Sequence, residues 1–224
     1  MAHRSVSPRW RAAVCAAVLA LAAAVPARAA DGDGAVRAAF AAYQAGRAER
    51  LADAAADVPP AHPLAPLVES WRLRLALPRV DEAALAAFLA REDGSRAAEL
   101  VRADWLKSLG ARADWARFAA AYPKLVKPDP ALQCYARRAE LALGERRRVK
   151  EAVALWFSGR DLPGACDPLF DQLFAAGLLN TEDVWRRLRL ALDAGNPGVA
   201  RAVARRLPEA GRAGLTQLDR AAAD

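Results

Sequence analysis

The sequence predicts an all-α fold, and three observations predict it. Ile is absent, and no Val- or Thr-rich alternating run marks a strand. Ala, Leu, Arg and Glu dominate instead, residues that lose little freedom in a helix. Pro and Gly then divide the chain into apolar-periodic segments of helical length, at about 33–56, 63–77, 82–92, 96–109, 114–121, 130–143, 145–158, 168–176, 182–194 and 197–207.

Ahead of the first helix lies a processing signal. Arg4, Arg9 and Arg11 precede an apolar run of fourteen residues, Ala12 to Val25, which Pro26 ends. Ala27-Arg28-Ala29 then offers a small-x-small cleavage sequence. Residues 1–29 therefore read as a secretory signal peptide cut after Ala29. A retained anchor is the competing reading, and the run is short for one. Cys15 sits inside the run rather than at its end, which argues against a lipoprotein signal. The full chain has 33 basic and 26 acidic residues, a net charge of +7. Cleavage removes four arginines and no acids, leaving 29 against 26, a net of +3. A mildly basic, exported chain of interspersed signs argues against a nucleic-acid partner and leaves at most a peripheral contact with membrane.

The helix ends have local causes. Asp129-Pro130, Asp167-Pro168 and Asn196-Pro197 each place a capping side chain before a proline at the first helical position. Gly144, Gly159, Gly177 and Gly195 stand where a left-handed residue closes a helix, and Thr181 stands where it can cap the next one. Connections of about two to six residues make successive helices antiparallel neighbours. Ala103-Asp104-Trp105-Leu106 is echoed by Ala113-Asp114-Trp115-Ala116, and Trp71, Trp105, Tyr135, Trp156 and Trp185 recur along the chain. That degenerate recurrence suits an irregular α-superhelix, a solenoid of short antiparallel helix pairs spanning residues 30–210, with 211–224 as a tail or an interrupted continuation.

The sequence carries few residues in catalytic patterns. Gly32-Asp33-Gly34 follows no strand, so it is no phosphate loop, and there is no Gly-x-Ser-x-Gly elbow. His62, among Pro59, Pro60 and Pro63, reads as an exposed loop histidine. Glu69, Glu92, Asp93, Glu99, Glu140, Glu145 and Glu151 lie beside arginines as solvated ion pairs, none in a setting that would raise its pKa. Trp185, Leu188 and Leu192 form an apolar stripe, so core packing is favoured over a carbohydrate platform. Catalytic, cofactor-binding and metal residues are therefore all read as none, and no cofactor is implied. Cys134 and Cys166 remain after cleavage, and in an exported chain such a pair is most simply a disulfide. Arginine is the one excess: Arg146-Arg147-Arg148 opens a helix, Arg186-Arg187 and Arg205-Arg206 recur, and Arg137-Arg138 faces outward. Solvated faces are the default reading. Arg137, Arg147 and Arg187 are the candidates to face an anionic polymer in a groove.

One stretch is specific. "LWFSGRDLPGACDPLF" (155–170), followed by "GLLNTEDVWRRLRLALDAGNPGVARAVARRLP" (177–208), resembles the N-terminal superhelical region of the soluble lytic murein transglycosylases of Gram-negative bacteria. "RADWLKSLGARADWARFAAAYP" (102–123) and "LQCYARRAELALG" (132–144) resemble it in the same order, so the resemblance runs from about Ala35 to Pro208. It implies a periplasmic enzyme whose long α-superhelix accompanies a separate lysozyme-like domain with one catalytic glutamate. That domain cleaves the bond between N-acetylmuramic acid and N-acetylglucosamine without water, leaving 1,6-anhydro ends. The family's cysteine pair matches Cys134 and Cys166. No Glu-Ser pair at a helix start and no Gly-Leu-Met-Gln segment is present, so no residue here takes the glutamate's role. The expectation is a non-catalytic superhelical part, inactive alone, whose partner is peptidoglycan glycan engaged through the family's catalytic domain. The alternative is a free-standing periplasmic helical-repeat adaptor that binds a protein.

Overall fold

A computed structural model describes residues 30–209 apart from Pro78 and Arg146. The expected signal peptide and the tail from residue 210 lie outside the described residues. The described chain is helical throughout, with two short 3-10 turns and no strand. It forms two compact units, one ending at Leu75 and one beginning at Ala76.

The first unit holds α1 (Ala30–Gln44), α2 (Ala48–Ala56) and α3 (Ala65–Ala76). The single helix expected over 33–56 is two helices, because Gly46 adopts φ 65° and turns the chain between them. α1 and α2 pack closely as a hairpin. Val36, Ala39, Leu51, Val58, Val68 and Trp71 share their core. Tyr43 stacks on Trp71 at 5.7 Å.

The second unit begins with α4 (Glu82–Arg91), α5 (Arg96–Ala111), α6 (Trp115–Ala121) and α7 (Pro130–Ala142). Asp81 and Ser95 cap α4 and α5 by accepting from Ala83 N–H and Ala98 N–H. Asp129 caps α7 by accepting from Leu132 N–H at 2.9 Å, as expected. Leu106, Leu109, Phe118, Leu132 and Ala136 fill the core between α5, α6 and α7. The two echoed Ala-Asp-Trp sequences play different parts. The first is inside α5, whereas the second turns the chain at Ala113, φ 57°, and starts α6.

Next come α8 (Val149–Trp156), α9 (Asp167–Ala175), α10 (Thr181–Asp193) and α11 (Pro197–Ala204). α8 starts later than expected: Arg147 lies in a turn and Arg148 stands just outside the first helical residue. Asp167 is already helical and makes no side-chain cap. Asn180, not Thr181, caps α10, and it forms a capping box with Asp183. The box geometry, in which Asp183 Oδ2 accepts from Asn180 N–H at 2.9 Å, places the cap one residue before the expected Thr181. Gly144, Gly177 and Gly195 are left-handed as expected, with φ of 81°, 66° and 70°. The second core joins Trp156, Leu169, Phe170, Leu173, Val184, Leu188, Ala191 and Val203. Trp185 is half-buried and Leu192 exposed, so the buried stripe of α10 is Val184, Arg187, Leu188 and Ala191 instead.

Candidate functional site

The corner between α8 and α9 concentrates the unusual chemistry. After Trp156 the chain leaves the helix, runs through Gly159 to Pro163, and makes a 3-10 turn, Gly164–Cys166. Cys166 is bonded to Cys134 of α7, the pairing expected from sequence. Both cysteines are buried.

Gly159 does not close a helix. A Cβ at this position would lie 2.4 Å from the carbonyl oxygen of Leu190 and 2.9 Å from Ala194 Cβ, so the corner touches the backbone of α10 directly. Asn196 Nδ2 donates to Gly159 O at 2.8 Å, which explains why Asn196 makes no side-chain cap on α11. Trp156 Nε1 donates to Asp183 O at 3.0 Å. The corner is thus tied at one side to α7 by sulfur and at the other to α10 and α11 by hydrogen bonds.

Beside it lies a cavity of about 500 Å³ lined by residues of the corner, α9, α10 and the end of α11, among them Trp156, Asp161, Asp167, Phe170, Arg187 and Arg206. Arg187 is 6% exposed. Its guanidinium lies 4.4 Å from the Trp156 ring centre and 5.5 Å from that of Phe170. Arg206 lies over the same indole at 5.7 Å and pairs with Asp171 at 2.7 Å. Burial, and then the charge of Arg206, pull the Arg187 pKa below the usual arginine value.

The three candidate arginines are not brought to one face. Arg187 lines this cavity. Arg137 does not face outward: it is buried in α7, where it pairs with Glu151 at 2.7 Å and Glu140 at 3.0 Å. Arg147 is exposed and lies 3.8 Å from Glu145. Glu140 departs from the sequence reading too, because burial lifts its carboxyl above the usual range against the pull of Arg137 and Arg148. Arg137, Arg148, Glu145 and Glu151 surround it, so the shift belongs to an ion-pair cluster and not to an acid poised over a substrate.

His62 is the other correction. It is buried, its Nε2 lies 3.0 Å from Asp33, and its Nδ1 accepts from Leu64 N–H at 3.1 Å. Gly32 allows that approach, since a Cβ there would fall 2.6 Å from the imidazole. The fold joins the Gly32-Asp33-Gly34 sequence and His62 into an anchor for the loop between α2 and α3. Among the described residues, no group of His, Cys, Asp and Glu is arranged to hold a metal ion. No described helix is long and apolar enough to cross a membrane.

No family model matches the chain. The soluble lytic murein transglycosylase of Salmonella typhimurium is 28% identical over 149 residues, 66% of this chain and 23% of that protein. The Escherichia coli K12 protein of the same name is 31% identical over 113 residues, 50% of this chain and 17% of its own. The chain therefore spans about a quarter or less of the curated relatives it matches. Among solved structures, the complex of the 70-kDa soluble lytic transglycosylase with bulgecin A superposes with a TM-score of 0.64 at 23% identity, covering 81% of this chain and 29% of that one. An inactive mutant of the lytic transglycosylase Slt from Pseudomonas aeruginosa superposes at 0.61 with 30% identity, covering 84% and 32%. The chain is a relative of the soluble lytic murein transglycosylases and shares the all-α superhelical fold present in part of their length.

Proposed function

We propose that the chain is the non-catalytic, N-terminal superhelical part of a periplasmic peptidoglycan lytic transglycosylase and serves in cell-wall turnover. The observation that carries this reading is the joint likeness in sequence, over 149 residues, and in fold, over 81% of the chain. The disulfide between Cys134 and Cys166 suits an oxidising compartment and supports a periplasmic site of action. On this reading the helices position or retain glycan while the family's catalytic domain breaks the bond.

Incubating the purified chain with murein sacculi tests it. The expected result is no release of 1,6-anhydro-muropeptides, together with co-sedimentation on insoluble peptidoglycan at low salt that weakens as salt is raised. Release of anhydro products would overturn the non-catalytic assignment. Absence of co-sedimentation would favour the protein-binding adaptor.

A further inference from the structure

The three buried arginines form an internal comparison. Arg102 is 4% exposed and meets Asp93 at 3.0 Å, the Lys124 carbonyl at 3.2 Å and Glu99 at 3.7 Å. Arg137, 7% exposed, meets Glu140 and Glu151. Arg187 is as deeply placed as either, yet among the described residues it makes no ion pair and its Nε has no hydrogen-bond partner. The rings of Trp156 and Phe170 lie closest to it, and Asp161 and Asp167 act on it only through their charge, without an ion pair. A buried guanidinium held without a carboxylate is unfavourable, and the fold has supplied a carboxylate for each of the other two.

The surroundings of Arg187 sharpen the point. Arg206 shares the Trp156 ring with it, and Arg205 lines the same cavity. Asp161 and Asp167 also line it, but neither pairs with Arg187: Asp161 accepts from Leu162 N–H at 3.0 Å. Asp171 is taken by Arg206. The cavity therefore contains a desolvated cation with no ion pair among the described residues, beside two further cations and two carboxylates that do not reach it, with space of about 500 Å³ open to a ligand. Rings on its faces leave a guanidinium its edge for recognition, and that edge matches the planar fork of a carboxylate.

We propose that the cavity beside the disulfide corner is a carboxylate-binding site, with Arg187 as its anchoring cation and Arg205 as a secondary attraction at its rim. The carboxylate can belong to a small free acid or to a peptide stem of murein. Only the second source rests on the murein reading above.

The test uses the full chain labelled with nitrogen-15, following arginine Nε–H resonances, with three probes: acetate, a disaccharide-tripeptide muropeptide with free carboxyls, and the same muropeptide with its carboxyls amidated. Acetate is expected to shift the Arg187 Nε–H signal in a saturable way. The free-acid muropeptide should do so too, and amidation should weaken it at least about tenfold, the loss of one charge-assisted contact. Binding is also followed by backbone amide shifts of residues 159–166, which both variants retain: Arg187→Gln should abolish the saturable amide response, and Arg205→Gln, an exposed position that leaves the core intact, should weaken it about threefold and reduce its salt dependence. Response to acetate with equal binding of acid and amide muropeptides would keep the site and remove murein as its source. No saturable shift with acetate or with the free-acid muropeptide would overturn the proposal, as would full retention of binding in Arg205→Gln and Arg187→Gln together.

Discussion

At the scale of single residues, charge is governed by which group can reach a partner. Asp129 illustrates a favourable case: burial opposes its charge, but Lys107 at 2.7 Å and the Leu132 N–H hold its carboxyl below the usual range. Because the folded pKa lies below the unfolded one, this group strengthens the fold above pH ~4, and that contribution is lost as pH falls through the folded value. Asp129→Ala removes the cap and should cost about 1 kcal/mol at pH 7. Asp129→Asn keeps a capping oxygen and should cost under about 0.5 kcal/mol, given the exposure of the ion pair, a difference that closes once pH has fallen through the folded pKa of Asp129. Urea denaturation across pH checks both. The Asp129 cap was legible because capping is local. The burial of Arg137, Arg187 and His62 was not legible because it depends on neighbours distant in sequence: Glu151 for the first, Trp156 and Phe170 for the second, Asp33 for the third.

At the scale of elements, the corner 157–166 is the determinant that sequence and structure describe most differently. Its identity as a stapled turn was readable from Leu162-Pro163 and the cysteine pair. The close contact at Gly159 was not, because a missing Cβ leaves no trace in a pattern of apolar and polar residues. Gly159→Ala should destabilise by about 1–3 kcal/mol, since the new methyl meets a carbonyl oxygen of α10 that cannot swing aside. Replacing both cysteines by Ser should cost about 3–4 kcal/mol, the loop-closure entropy of a cross-link across a separation of 32 residues. Thermal unfolding of the two variants gives the comparison. Helix existence was likewise readable throughout, whereas two boundaries moved for physical reasons. Gly46 broke the first expected helix by its positive φ, and α8 begins only at Val149, after the basic run.

At the scale of the whole molecule, the all-α class followed from composition and punctuation, but the division into two units did not, because nothing in the sequence around Leu75 differs in kind from the other connections. The disulfide lies wholly in the second unit. Reduction is therefore expected to raise amide exchange in α7, α9 and the corner while protection around Val36, Leu51 and Trp71 stays unchanged, as hydrogen-exchange mass spectrometry would show. One feature of that second unit bears on how far such a chain can drift. Trp156 holds Asp183 by its carbonyl, Asn196 holds Gly159 by its carbonyl, and Gly159 rests on the carbonyl of Leu190. A carbonyl is supplied by whatever amino acid occupies the position. Residues 183 and 190 can therefore change identity without losing these three contacts, and only Trp156, Gly159 and Asn196 are required by name. Attachment through the main chain gives a physical reason why a fold of this kind persists when fewer than a third of the aligned residues are shared.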